Sequence, residues 1–331
     1  MSKKASFILD LSVLEFGDII LKRSSSRISQ VIRDRTKSEY SHAMLYIDDA
    51  VIIHSDSKGV SSRNAQREGV ENEDDMVVLR VRKTESYDEY KLEEYARRMI
   101  GMEYDQKMAR QLIGGVKYDD GNMPNRQFCT GFVARAYAEA GLHIVADAES
   151  CSPQDLLTSD KLERVKNAVR IATKEEQELV DEKNPIAKVQ EDATQDMLKQ
   201  IRDKSGQDIQ TIEQLWEACV NDEEVDEIAY EVCKDHYYFQ ILDEYHNQHP
   251  EEYNPLLFIT KYKNKTDTEN AAHTLYFTMI KQYIQYQCMY EAFKNQLALR
   301  HRKTLEHFMH HYQRLVEDCE SRMAVFSIFI K

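Results

Sequence analysis

Residues 126–144 read RQFCTGFVARAYAEAGLHI, and the fold turns on how this stretch is read. Apolar and small residues recur at helical spacing from Cys129 onward, and Gly141 ends the run as a helix-stopping glycine. The spacing therefore predicts a helix whose first turn holds Cys129. Unpaired backbone N–H groups and the helix dipole stabilise a thiolate there, which predicts a thiol below its ordinary pKa of about 8.5. The same amides can hold the oxyanion of a tetrahedral intermediate. Taken alone the stretch also fits a buried structural cysteine on an amphipathic helix, since free cysteine is commonly buried.

Upstream lie short runs rich in Val and Ile: GDIILKR (17–23), HAMLYI (42–47), AVIIHS (50–55) and MVVLRVR (76–82). These predict strands, with SSRISQVIRDRT as a short helix between the first two and DEYKLEEYARRMIG (88–101) as a second, capped by Gly101. If Asp48, Asp49 and Ala50 form a hairpin loop, Ile47 pairs with Val51. His42, Met44, Tyr46, Ile52, His54 and Asp56 then share one face, because side chains alternate with period two. Two histidines on one face fit a base and the residue that fixes its tautomer, the arrangement a thiol nucleophile needs. A one-residue change in loop length would flip one strand and separate them.

These residues reach a family. FCTGFVARAYAEAGLHI resembles the nucleophile helix of NlpC-type papain-like hydrolases, and IGMEYDQ (100–106) resembles their Gly-x-x-Tyr segment. Here the histidine strand precedes the cysteine helix. That order resembles the circularly permuted branch, which holds the YiiX/YebB-like hydrolases and the lecithin:retinol acyltransferase-like enzymes. The resemblance covers roughly residues 12–165 and implies a papain-like α+β domain with an antiparallel sheet. It implies Cys129 as nucleophile, His42 as general base, His54 as the third polar residue and Tyr104 as a pocket-lining tyrosine. Many YiiX-like members carry an acid at the third position. A histidine twelve residues after the base is more like the lipid acyltransferase branch, and Asp56 stands in reserve.

Residues 22–37 hold Lys22, Arg23, Arg27, Arg33, Arg35 and Lys37 against one acid, Asp34. Near the cleft, Arg23 and Arg27 could receive a phosphate or an anionic membrane surface; a solvated helix face is the plain alternative. His307, His310 and His311 have a spacing that metals use, but no carboxylate or cysteine completes the set, so no metal and no cofactor are expected.

Beyond about residue 170 the composition changes. Gly206 is the last glycine, and charged, Gln-rich and Tyr-rich helical patterns predict helices at about 191–204, 208–220, 223–247, 267–297 and 300–328. The expected organisation is a catalytic domain over 1–165, a linker or exposed helix over 166–190 and an all-α bundle over 191–331. The chain carries 44 basic and 58 acidic residues, for a net charge of −14, and 30 of those acids lie after residue 165. That balance argues against nucleic-acid binding and leaves the helical half as a candidate surface for a protein partner. Six cysteines without CxxC spacing point to a reduced compartment. With neither a signal peptide nor a 20-residue apolar span recognisable, the expected place is the cytoplasm where the chain is made, with signal-independent export left open.

The functional expectation is a cysteine acyl hydrolase or acyltransferase working through a Cys129 thioester, with a phospholipid ester slightly favoured as substrate. The alternatives are an amidase acting on peptidoglycan or protein amides, and an inactive papain-like binding module.

Overall fold

The computed structural model describes residues 5–24, 27–48, 50–103, 128–181 and 185–330, with the backbone alone at 27, 28, 35, 181 and 185–187. The chain divides into two units: Met1–Pro185 with Gln210–Ile212, and Ile186–Ile209 with Glu213–Lys331.

The first unit is α+β. In chain order it holds β1 (Phe7–Leu9), β2 (Ile19–Lys22), α1 (Arg27–Thr36), β3 (His42–Tyr46), β4 (Val51–Asp56), β5 (Gly59–Asn64), β6 (Gly69–Val70) and β7 (Met76–Val81). There follow α2 (Glu89–Arg98), α3 (Cys129–Glu139), α4 (Pro153–Thr158), β8 (Leu162–Arg164), β9 (Val169–Ile171) and α5 (Lys174–Asp181). Six strands form one antiparallel sheet in the order β5-β4-β3-β2-β7-β8, and β6-β1-β9 form a second. The stretch 166–190, expected as a linker or exposed helix, thus contributes a strand paired with β1 and the helix α5.

The large sheet is buried on both faces. Ala43, Leu45, Ile47, Ile53, Ile19 and Leu21 pack with α2 and α3. Met44, Tyr46, Ile52, Ile20, Met76 and Val78 form a second core with Leu9, Leu14 and Val70. The β3–β4 hairpin has the expected register, with Met44 opposite His54 and Tyr46 opposite Ile52, so its even-numbered residues share the second face.

Gly17 locks the cysteine helix to this sheet. Its φ is +85°, and a Cβ there would lie 2.3 Å from the Tyr87 hydroxyl and 2.9 Å from that of Tyr137. The Tyr137 hydroxyl, on α3, donates to the Gly17 carbonyl, while that of Tyr87 donates to the Phe16 carbonyl at 3.2 Å. Only glycine permits both the backbone angle and the close approach. Asp18, fully buried beside it, accepts two bonds of 2.7 Å from Arg80 on β7.

The second unit is helical: α6 (Pro185–Ser205), α7 (Ile212–Asn221), α8 (Glu223–Cys233), α9 (Ile241–Gln248), α10 (Pro255–Lys261), α11 (Lys265–Leu299) and α12 (Lys303–Ser327). The single helix expected over 223–247 is broken. After Cys233 the chain turns at His236, whose side chain accepts from the Tyr238 amide, and passes through a 3-10 turn at Tyr237–Gln240. Breaking the helix there delivers Phe239 to Phe308 on α12, at 5.1 Å between ring centroids. Buried Asp226 caps α12, accepting from the amides of Lys303 and Thr304 at 2.9 and 3.0 Å. Among the described residues no helix is long and apolar enough to cross a membrane.

Candidate active site

Phe128 precedes α3 in extended conformation (φ −108°, ψ 161°) and gives no side-chain cap, so the first-turn amides of the helix are not consumed by one. Gly131 leaves room for the Phe128 ring to fold back over that turn; a Cβ there would come within 2.6 Å of it. Cys129 is therefore presented at an open helix N-terminus, yet buried. The backbone amides of Ala43, Thr130 and Cys129 favour its thiolate, but burial outweighs them and holds the thiol above its ordinary value. This corrects the expectation of a lowered thiol pKa. Helix position favours the anion, but desolvation costs it more. The thiol needs a base.

The sulfur sits where β3 and β4 part. Their ladder runs from Tyr46–Ile52 to Met44–His54, and beyond it the Ala43 amide serves the Cys129 sulfur. The residue before Ala43 is His42, first in β3. Its Nε2 lies 2.9 Å from His54 Nδ1, with the rings edge-on at 89°. That contact leaves Nδ1 of His42, the nitrogen nearer its own backbone, to exchange a proton. Burial pushes His42 down to about 4, partly offset by the charges of Glu68 and Asp56. His54, 1% exposed, is held well below its ordinary value by burial and then by His42. Both rings are thus neutral near pH 7, and a neutral imidazole can accept a proton.

Asp56, the reserve residue, lies on the same face but bonds Arg63 at 2.7 Å and the Lys58 amide at 2.9 Å. It acts on His42 through charge at a distance. The basic cluster also differs from expectation. Lys22 pairs with Glu68 at 2.6 Å, and Arg23 binds the Glu39 carbonyl at 3.0 Å and Asp75 at 3.4 Å. Arg33 donates to the Ser24 carbonyl at 2.6 Å. Acids distant in sequence thus neutralise Lys22 and Arg23, so neither is a free anion receptor. Tyr104 and the side chain of Arg27 lie outside the described residues.

No metal set converges near Cys129 among the described residues. In the helical unit His307 and His311 flank Phe239 at 4.3 and 5.1 Å between ring centroids, while His310 is exposed. His249, Glu251 and Glu252 bring ligand atoms within 4.8 Å of one another. However, Glu251 already pairs with Lys261 and Glu252 with Arg322.

Residues 13–168 match a family model described as permuted papain-like amidase enzyme, YaeF/YiiX, C92 family. This stretch is a permuted papain-like domain. Cys129, His42 and His54 all lie within it. A solved structure similar to the chain is that of metalloprotein yiiX from Escherichia coli O157:H7. It is 21% identical over 46% of this chain and 97% of that one, with a TM-score of 0.35. No curated protein matches.

The sequence reading of the permuted papain-like domain missed Ser61, Arg63 and Glu68, which surround the two histidines. A signal for the first two was present. Ser57 and Lys58 form a two-residue loop before Gly59 (φ +117°), and the resulting hairpin places Ser61 opposite His54.

Proposed function

We propose that the permuted papain-like domain is a thiol-dependent hydrolase of amide bonds, with Cys129 as nucleophile, His42 as general base and His54 as the residue that orients it. The observations carrying this reading are the His42 Nε2–His54 Nδ1 contact and an open helix N-terminus whose buried thiol is served by the amide of Ala43, the residue next to His42. His42 Nδ1 takes the Cys129 proton as sulfur adds to the carbonyl, and first-turn amides of α3 receive the oxyanion. Collapse forms a thioester, and the proton on His42 goes to the departing amine. Water, deprotonated by His42, then attacks the thioester and releases the acid and the thiol. The family to which residues 13–168 belong is described as amidases, which favours an amide over an ester.

A lipid ester is the second reading, resting on a histidine rather than a carboxylate at position 54. The ion pairs of Lys22 and Arg23 weaken it, because they engage two of the cations that would attract anionic lipid. Turnover of peptide and peptidoglycan fragments, and of phospholipid vesicles, by native protein and by Cys129→Ala separates the readings. The expected result is amide cleavage that Cys129→Ala abolishes. Cleavage that survives Cys129→Ala would remove the proposal, and fatty-acid release without amide cleavage would promote the second reading.

A further inference from the structure

Of the three buried polar side-chain atoms without a hydrogen-bond partner among the described residues of the first unit, two are Nε2 of His54 and Oγ of Ser61 (the third is Nε of Arg135). They belong to residues directly opposite each other in the β4–β5 ladder. Opposed residues project from the same face, with Cβ atoms about 5 Å apart. Buried groups of this kind are rarely left unpaired, because an unmet donor costs about 1–3 kcal/mol. That two such groups face each other is the observation to explain.

The tautomers explain it. For His42 to accept the Cys129 proton at Nδ1, its own proton must sit on Nε2. Nε2 then donates to His54 Nδ1 across the 2.9 Å contact. His54 Nδ1 is therefore an acceptor, and the His54 proton must sit on Nε2, the atom left without a partner on the residue opposite Ser61. We propose that Ser61 is a positioning residue of the active site: its hydroxyl accepts from His54 Nε2–H, by side-chain rotation or through one water, and so holds His54 and His42 in the tautomers that leave His42 Nδ1 free. The inference rests on the catalytic reading above and adds a fourth member behind the two histidines.

The surroundings favour this role. Asp56 and Arg63 flank the pair on β4 and β5, and their 2.7 Å ion pair spans it diagonally. On the other side of the rings Lys22 is bound to Glu68. With both ion pairs closed, none of these charged groups bonds His54 Nε2, and Ser61 is the partner in place. Both Ser61 and His54 are almost fully buried, so bulk water does not compete freely for the bond.

Imidazole 15N NMR of the full chain tests the proposal directly. In native protein His54 should carry its proton on Nε2 as a single tautomer. Ser61→Ala should mix the tautomers and slow Cys129 alkylation at neutral pH roughly 5–20-fold, a loss in line with a missing buried acceptor. Ser61→Thr, which restores the hydroxyl on a strand-compatible side chain, should recover both readouts. Ser61→Ala should add nothing to His54→Ala. A His54 proton found on Nδ1 in native protein overturns the inference, even if Ser61→Ala does not fold. So does a folded Ser61→Ala with unaltered tautomer and alkylation rate. Alkylation of Cys129 indifferent to His42→Ala overturns the catalytic reading instead, and the inference with it.

Discussion

At the scale of single residues, the site depends on which of two opposed effects is larger. A helix N-terminus and the Ala43 amide favour the Cys129 thiolate, and burial opposes it more strongly. His42 is displaced in the complementary direction, to about 4. The pair therefore rests as neutral thiol and neutral imidazole, and the proposed catalysis depends on proton transfer between them. Because His42 must be unprotonated to act as base, the acid limb of kcat/KM should fall near pH 4 rather than near the ordinary 6.5 of histidine. Asp56 holds His42 up by its charge, so Asp56→Asn should move that limb to lower pH and cost only a few-fold in rate. His42→Ala should cost about 10²–10⁴-fold, and His54→Ala less. A severe loss at Asp56 with none at His54 would reassign the orienting role. Of this candidate site, the placing of Cys129 at a helix start and of His42 and His54 on one strand face was legible in the sequence, because helix spacing and strand alternation are local. The sign of the thiol shift and the neutralisation of Lys22 and Arg23 were not legible, since burial and the partners Glu68 and Asp75 are set by the tertiary fold.

At the scale of elements, the position of the thiol is fixed by how α3 is tied to β2. The Tyr137 hydroxyl grips the Gly17 carbonyl two turns down the helix from Cys129, and Tyr87 grips Phe16 beside it. Gly17→Ala adds a methyl into this contact and forces a positive φ on a residue with a Cβ. It should destabilise the protein by roughly 2–4 kcal/mol, the combined scale of backbone strain and overpacking. Urea unfolding checks this, and a midpoint equal to the native one would show that the corner does not constrain α3. In the main sheet β2, β3, β4 and β7 were legible because each carries a clear apolar run, whereas β5, GVSSRN, is as long as β4 but carries none and was missed. The β6-β1-β9 sheet was not legible, because its strands are two or three residues long and pair Phe7 with Ile171 across most of the unit. The break at Tyr237–Gln240 was hidden for a related reason. No proline or glycine marks it, and what rewards it is the packing of Phe239 on α12.

At the scale of the molecule, each unit has its own core and its own neutral histidines, buried or half-buried: His42 and His54 in the first, His307 and His311 in the second. Burial lowers all four, with His42 and His311 at about 4. Their folded values lie below the unfolded 6.5, so between about pH 4 and 6.5 the unfolded chain binds more protons. Stability should therefore be full above pH 6.5 and fall as the pH drops toward 4, in both units. Urea midpoints at pH 7.5 and 4.5 measure this, and His311→Phe should reduce the acid loss of the helical unit. A midpoint that does not change with pH would mean that the rings are accessible to water. Where residues 170 onward are concerned, composition alone made the switch to helices legible: glycines and β-branched runs disappear together.

The measurement that bears most directly on the account is the pH dependence of Cys129 alkylation by iodoacetamide, resolved by mass spectrometry against exposed Cys288 as internal reference. A thiol coupled to a base keeps a constant ion-paired fraction between the two titrations of the pair. The rate at Cys129 should thus fall less than tenfold per unit as the pH drops from about 8 to 5 in native protein, because proton transfer to His42 persists until His42 itself is protonated. It should rise tenfold per unit in His42→Ala. A tenfold-per-unit climb at Cys129 in native protein, matching that of His42→Ala, would contradict the pairing of Cys129 with His42.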